Sequence, residues 1–117
     1  MKSVEVDGVE YVPVSKKAEK LDGMEYVIVR TYSAGVFAGY LKERDGKEGV
    51  MLQSRRLYSW SGAATLSQLA NEGVSNPDDC KFPAAINGEH TLTEIIEIIS
   101  CTAEAKKSIN KVTIWSE

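Results

Sequence analysis

Histidine, cysteine and net positive charge are all scarce in this sequence, and each shortage removes a class of chemistry. There is one histidine, His90, and there are two cysteines, Cys80 and Cys101, far apart and outside any CxxC or CxxH spacing. A structural zinc site needs four such ligands at short spacings, so no metal centre is expected. His90 reads as a lone surface histidine beside Glu89. A serine triad would have to recruit it without a Gly-x-Ser-x-Gly elbow, which argues against nucleophilic catalysis.

No apolar run approaches the roughly 20 residues of a membrane span, and Met1 begins a polar, charged stretch rather than a signal peptide. Both thiols are therefore expected to be reduced and partly buried, in a protein of the cytoplasm. Lys and Arg total 14 against 17 Asp and Glu, a formal net charge of -3. Long duplex nucleic acid is an unsuitable partner for such a surface, since phosphate neutralisation supplies most non-specific affinity. A small anionic ligand needs only a few well-placed cations and remains open. Phosphate loops are also absent, because Gly35 and Gly39 do not have Walker spacing and no Gly-Lys-Ser/Thr follows. Carboxylates such as Glu94 and Glu97 are plentiful, but spacing alone does not make an acid/base pair. No cofactor is implied.

What is present suits a single domain over residues 1–117, with 43% hydrophobic and 26% charged residues and one modest core. Alternation on either side of Asp7-Gly8 predicts a hairpin within an N-terminal extension, residues 1–20. SKKAEKLDGM reads as an exposed connection or a short helical excursion. Glu25 to Arg30 contains the continuous run YVIV, a strand buried on both faces. RTYSAGVFAGYL then places glycines inside a strand pattern, which happens where a bulge forms or where a ligand or another backbone comes close. LKERDGKEGVMLQS predicts a hairpin turning at Asp45-Gly46.

From Ser61 the spacing of Ala63, Leu66, Leu69 and Ala70 predicts the principal helix, stopped at Gly73. Its first turn, near Ser61-Gly62-Ala63, would offer free N–H groups to an anion. LTEIIEII fits both a helical period and a strand; we read it as a strand, because Thr102 looks like the N-cap of a separate helix, AEAKKSI. VTIWS reads as a closing strand. The predicted class is α+β, a mostly antiparallel sheet wrapped around one central helix, plus a short C-terminal helix.

Arginines next to aromatics carry the functional signal. Arg30 adjoins Tyr32, and Arg55-Arg56 precede Tyr58 and Trp60. An arginine fork binds phosphate oxygens bidentately and aromatic faces receive bases, so the combination suits a nucleotide. The same residues also fit a plainer reading, in which Tyr58 and Trp60 are core and the arginines reach past them to solvent.

YVIVRTYSAGVFAGYL, the double arginine leading to YSWSGAATLSQLANEGVSNPDDCKFP, then LTEIIEII and CTAEAKKSI, together resemble a family of small phage proteins. These are the first-type Thoeris anti-defence proteins, sponges that bind cyclic nucleotide immune signals without cleaving them. The similarity runs from about Glu25 to Trp115. It implies dimers that assemble into hexamers, glycocyclic ADP-ribose isomers in recessed pockets and, in some members, cyclic trinucleotides at a site between subunits. It further implies a non-enzymatic inhibitor of Thoeris and CBASS immunity in the cytoplasm of an infected bacterium.

Carried over by motif, Arg30 matches the arginine of RTYSAG, whose Ser33, Ala34 and Gly35 would admit the ligand to backbone. One of Arg55 and Arg56 matches the phosphate-binding arginine, with Trp60 nearby. Phe82 of CKFP would stack the adenine, and Asn87 would add a polar contact. Asn87 and Gly88 would equally suit the trinucleotide site. Lys106 and Lys107 stand where some members carry an arginine, which keeps the charge and loses the fork. Two competing readings remain: a phosphodiesterase-like enzyme acting on the same signals, and an inhibitor that binds a host protein directly.

Overall fold

The computed structural model describes residues 16–116 in full and the backbone of residues 4–6 and 9–11. Strands β1 (Val4–Val6) and β2 (Val9–Tyr11) pair antiparallel, as the alternation around Asp7-Gly8 predicts. The main sheet contains β3 (Glu25–Thr31), β4 (Val36–Asp45), β5 (Glu48–Arg56), β6 (Glu89–Leu92) and β7 (Ile95–Ser100). Two helices complete the fold, α1 (Leu66–Glu72) and α2 (Ala103–Lys111).

All pairings in the sheet are antiparallel, in the order β6-β5-β4-β3-β7. Only Thr93 and Glu94 separate β6 from β7, yet these strands form opposite edges. Such a short link requires the sheet to curl until its edges approach. The join is held by Ile95 N–H to the Lys47 carbonyl and Tyr32 N–H to the Glu94 carbonyl, both at 2.9 Å. LTEIIEII is thus extended, as expected, but divides into two strands instead of forming one.

The run YVIV is buried on both faces, as its continuity predicts. Val27 and Val29 join Phe37, Met51, Leu92 and Ile95 inside the curl. Tyr26 and Ile28 point the other way, into a larger cluster with Leu69, Phe82 and Ile109 beneath the helices. In place of one principal helix at the centre, two short helices lie side by side on the outer face, and the curl is filled by strand residues.

Helix α1 begins later than its apolar spacing suggests. Its N-cap is Thr65, whose side chain accepts from Gln68 N–H at 3.1 Å. Residues 61–64 are diverted because Gly62, at φ +88°, packs directly on Ser75: a Cβ there would lie 2.5 Å from Ser75 N. Gly62 therefore serves a close approach of two backbones, and the predicted anion site at Ser61-Gly62-Ala63 is not a helix terminus. The C-terminal stop is Gly73 as expected, at φ +79° with its N–H bonded to Leu69. Thr102 caps α2 by accepting from Ala105 N–H at 3.0 Å, and its hydroxyl donates to the Asn71 carbonyl at 2.7 Å, joining the two helices.

The VTIWS segment does not form a strand. It makes an isolated parallel bridge between Ile114 and Phe82. The carbonyl of Val112, its first residue, and that of Ile109 near the end of α2 are both taken by an arginine side chain.

Gly39 answers one of the two glycine questions. Tyr40 pairs with Leu52 and Ala38 with Arg55, so Gln53 and Ser54 both stand opposite Gly39 in a bulge, with Gln53 at φ +52°. A Cβ on Gly39 would lie 2.8 Å from Ser54 Cα and 2.9 Å from the Leu52 carbonyl oxygen. Neither is a flexible group. Gly39→Ala is expected to destabilise the protein by about 1–3 kcal/mol, in line with overpacking of a closed interior, and a urea midpoint compared with wild type measures it.

Candidate functional site

Just past the bulge, Arg55 and Arg56 pair in regular register with Ala38 and Phe37, and strand alternation sends the two to opposite faces of the sheet. Arg55 turns toward the helices and is 7% exposed. Its Nε donates to the Pro83 carbonyl at 2.8 Å, Nη1 to Ile109 at 2.8 Å, and Nη2 to Phe82 at 2.9 Å and Val112 at 2.7 Å. These bonds clamp the end of α2 to the CKFP loop. Arg55 is a structural strut with little left for a ligand.

Arg56 lies over the ring of Phe37, 4.5 Å from guanidinium carbon to centroid, and its Nη1 donates to the Ala34 carbonyl. Among the described residues no carboxylate pairs with it, and its Nε and Nη2 bond nothing. It is held in place while most of its donors stay free.

The β3–β4 loop is built to receive this side chain. Thr31 closes the loop by donating from its N–H and its hydroxyl to the Gly35 carbonyl, at 3.0 and 2.8 Å. Gly35 has φ +111°, and a Cβ there would sit 3.2 Å from Arg56 Nη1. The second glycine thus leaves room for the arginine to dock on Ala34.

Beside the docked arginine is a cleft of about 270 Å³ lined by Thr31, Ser33, Ala34 and the segment His90 to Glu94. It lies where the curled sheet's β6–β7 link meets the β3–β4 loop, a position comparable to the mouth of a barrel, where ligand sites recur. His90 was set aside in the sequence for want of partners. Here its Nδ1 is 2.8 Å from the Ser54 hydroxyl, and its ring meets Phe37 edge-on at 4.7 Å. The sequence carries no local signal for this: Glu89 and His90 read as the end of the INGEH loop, and the structure places them in β6.

The other candidates are distributed elsewhere. Arg30 is exposed at the end of β3 and paired by its Nε to Glu97 on β7 at 3.1 Å. Phe82 is fully buried, with the Arg55 guanidinium 5.5 Å from its ring. It has no open face for an adenine to stack on, so its role here is to anchor the core. Trp60 is half-buried against the outer cluster. Asn87 and Gly88 form an exposed bend leading into β6. Lys106 lies over Tyr26 and Tyr40, at 5.6 and 5.1 Å, on the helix side of the sheet. Lys107 lines a separate groove of about 530 Å³ between the helices. Lys106 and Lys107 are thus on the helix layer, away from the Arg56 cleft.

Burial, and then the nearby Arg56 charge, hold His90 below its ordinary pKa. Burial pushes the Cys101 thiol up to about 12, so it stays protonated and unreactive. Cys80 and Cys101 are both free and buried. Among the described residues no group of three or more His, Cys, Asp and Glu side chains is arranged to hold a metal ion, and no helix is long and apolar enough to cross a membrane.

The depressed His90 pKa has a consequence for stability. Between the folded value and 6.5 the unfolded chain binds more protons at this site. The histidine's contribution is therefore fully present above about pH 6.5 and is lost as pH falls below it. Urea midpoints at pH 7.5 and pH 5 should differ in that direction, and His90→Gln should reduce the difference.

A domain-family model described as a domain of unknown function, DUF6948, matches residues 24–109. The chain belongs to this family. The DUF6948 match begins one residue before β3 and ends within α2, so it contains the whole curled sheet, the Arg56 cleft and most of the Arg55 clamp. The β1–β2 hairpin lies outside it. No curated protein and no solved structure matches the chain.

Proposed function

We propose that this protein is a non-catalytic sponge that binds cyclic nucleotide immune signals, glycocyclic ADP-ribose isomers foremost, and so inhibits Thoeris immunity. The single observation that carries the reading is Arg56: docked on Phe37 and on the Ala34 carbonyl, unpaired with any carboxylate among the described residues, and adjacent to a polar cleft. A preorganised fork with free donors suits a phosphate oxygen. The motif resemblance running from RTYSAG to CTAEAKKSI independently points to the same ligand class.

A cleft of about 270 Å³ is at the lower limit for a small-molecule site. It would hold a phosphate and part of a sugar, with the remainder of the nucleotide projecting. Self-association to a dimer and then a hexamer would supply the missing walls, and a second, inter-subunit site would take cyclic trinucleotides and extend inhibition to CBASS. The site of action in this reading is the cytoplasm of the infected bacterium.

Sequestration is favoured over cleavage by the chemistry of the cleft. The one serine bonded to His90 is Ser54, which is fully buried and cannot reach a ligand as a nucleophile. To test the reading, the protein is incubated with a glycocyclic ADP-ribose isomer, freed of excess ligand and denatured by heat. Intact ligand should be released in stoichiometric amount. A linear product would instead identify an enzyme, and recovery of no ligand from any cyclic nucleotide in a panel would overturn the proposal.

A further inference from the structure

We propose that His90 is a second ligand-contacting residue of this cleft, donating from Nε2–H to an anionic phosphate oxygen, and that buried Ser54 is the positioning residue that sets the ring to do so. The inference deepens the nucleotide reading of the Arg56 cleft and rests on it.

The argument starts at Ser54. Its hydroxyl oxygen is fully buried and its one side-chain hydrogen bond is to His90 Nδ1, at 2.8 Å. If Nδ1 carried the proton, the serine O–H would be buried with nothing to accept it, an arrangement that native interiors avoid. The serine therefore donates and Nδ1 accepts. A neutral imidazole whose Nδ1 accepts carries its proton on Nε2.

That second nitrogen is accessible on a residue that lines the cleft. Nε2 bonds nothing among the described residues, and no buried side-chain nitrogen or oxygen among them lacks a partner. Phe37 holds the ring edge-on with an interplanar angle of 86°, and the Arg56 guanidinium lies over the same Phe37 ring. One aromatic side chain thus positions both donors.

The surrounding charges agree with a phosphate at this end of the cleft. Arg56 supplies the positive charge and favours a neutral His90. Glu89, adjacent on β6, is engaged by Lys42 at 2.5 Å. Glu94 is the one carboxylate lining the cleft, and it stands four residues from His90, past the end of β6 in the link to β7. There it would accept from a sugar hydroxyl rather than oppose the anion.

Because His90 is the one histidine in the chain, the imidazole can be observed directly in wild-type protein. The experiment records long-range proton–nitrogen NMR spectra of ¹⁵N-histidine-labelled protein at pH 7.5, first free and then titrated with inorganic pyrophosphate and with a glycocyclic ADP-ribose isomer. The free ring should be the Nε2–H tautomer, and pyrophosphate should shift Nε2 saturably. His90→Phe should weaken pyrophosphate binding about 10-fold or more, the loss of one charge-assisted bond, and His90→Gln, which keeps a donor near the same place, should restore most of it. Ser54→Ala should give a mixture of tautomers.

An Nδ1–H tautomer in the free protein overturns the proposal, as does an Nε2 signal that pyrophosphate leaves unmoved, or His90→Phe binding pyrophosphate as tightly as wild type. If pyrophosphate acts through His90 but no cyclic nucleotide binds, the sponge reading fails and this one stands. A cyclic nucleotide that binds with His90 unperturbed gives the reverse outcome.

Discussion

Arg55→Met is expected to leave the protein largely unfolded, or folded with a melting temperature lower by on the order of 10 °C or more. The side chain is 7% exposed and bonds four backbone carbonyls, those of Phe82, Pro83, Ile109 and Val112. Methionine fills similar space and removes every donor; the Phe82 and Ile109 carbonyls keep the N–H groups of Trp115 and Val112, whereas those of Pro83 and Val112 lose the arginine, at about 1–3 kcal/mol for each buried acceptor left without a partner. Some of the carbonyls would recover by taking water. A net loss of about 3–5 kcal/mol is expected, which places the variant among the most damaging point substitutions. Circular dichroism and urea unfolding of the purified variant measure it. A variant with an unchanged urea midpoint would mean that the clamp is not needed to hold α2 to the CKFP loop.

Arg56→Ala, one residue away, is expected to do the opposite: keep the fold and abolish sequestration. Its guanidinium is half-exposed and makes one hydrogen bond to the protein, to Ala34, so stability should change by less than about 1 kcal/mol. Ligand binding should fall by 100-fold or more if the fork makes two charge-assisted bonds to phosphate, each contributing roughly 1.5–3 kcal/mol. Arg56→Lys keeps the charge but not the planar stack on Phe37 or the paired donors, and should recover only part of the affinity. Thermal shift against a glycocyclic ADP-ribose isomer reads both quantities in one experiment, because stabilisation follows ln(1 + [L]/Kd). Unaltered ligand-induced shifts in Arg56→Ala would remove the arginine from the site.

The contrast between these two neighbours shows how far the sequence could be read. Both were visible as the double arginine before Tyr58 and Trp60, and nothing in their spacing said which would face a ligand. Strand alternation assigns adjacent residues to opposite faces, but it does not say which face the helices will cover. That depends on where α2 packs, and α2 is more than 40 residues further along the chain. Phe82 illustrates the same limit. An aromatic in a proline-flanked loop has the local pattern of an exposed platform as well as of a core anchor, and only the Arg55 clamp over that loop decides for the core.

His90 and the glycines mark the limit from the other direction. The partners of His90 are Ser54 and Phe37, on different strands, so no short motif could bring the three together. The glycines of SAGVFAG were recognisable as sites of close approach, but not what approached. For Gly39 it is the bulged backbone of β5, and for Gly35 it is the Arg56 guanidinium. That stretch accordingly divides into an architectural glycine and one that permits the candidate site to form.

The sequence by itself determined the local elements whose causes lie within a few residues: the strand of YVIV, the turn after Asp45, the glycine stop of α1 and the threonine cap of α2. These depend on alternation, turn chemistry and capping, all short-range effects. The tertiary structure alone decided the curl of the sheet, the split of LTEIIEII across its two edges, the burial of Arg55 and the docking of Arg56 beside His90. Each of those follows from pairing and packing between segments distant in the chain, where the competing faces and partners are settled only once the whole core has closed.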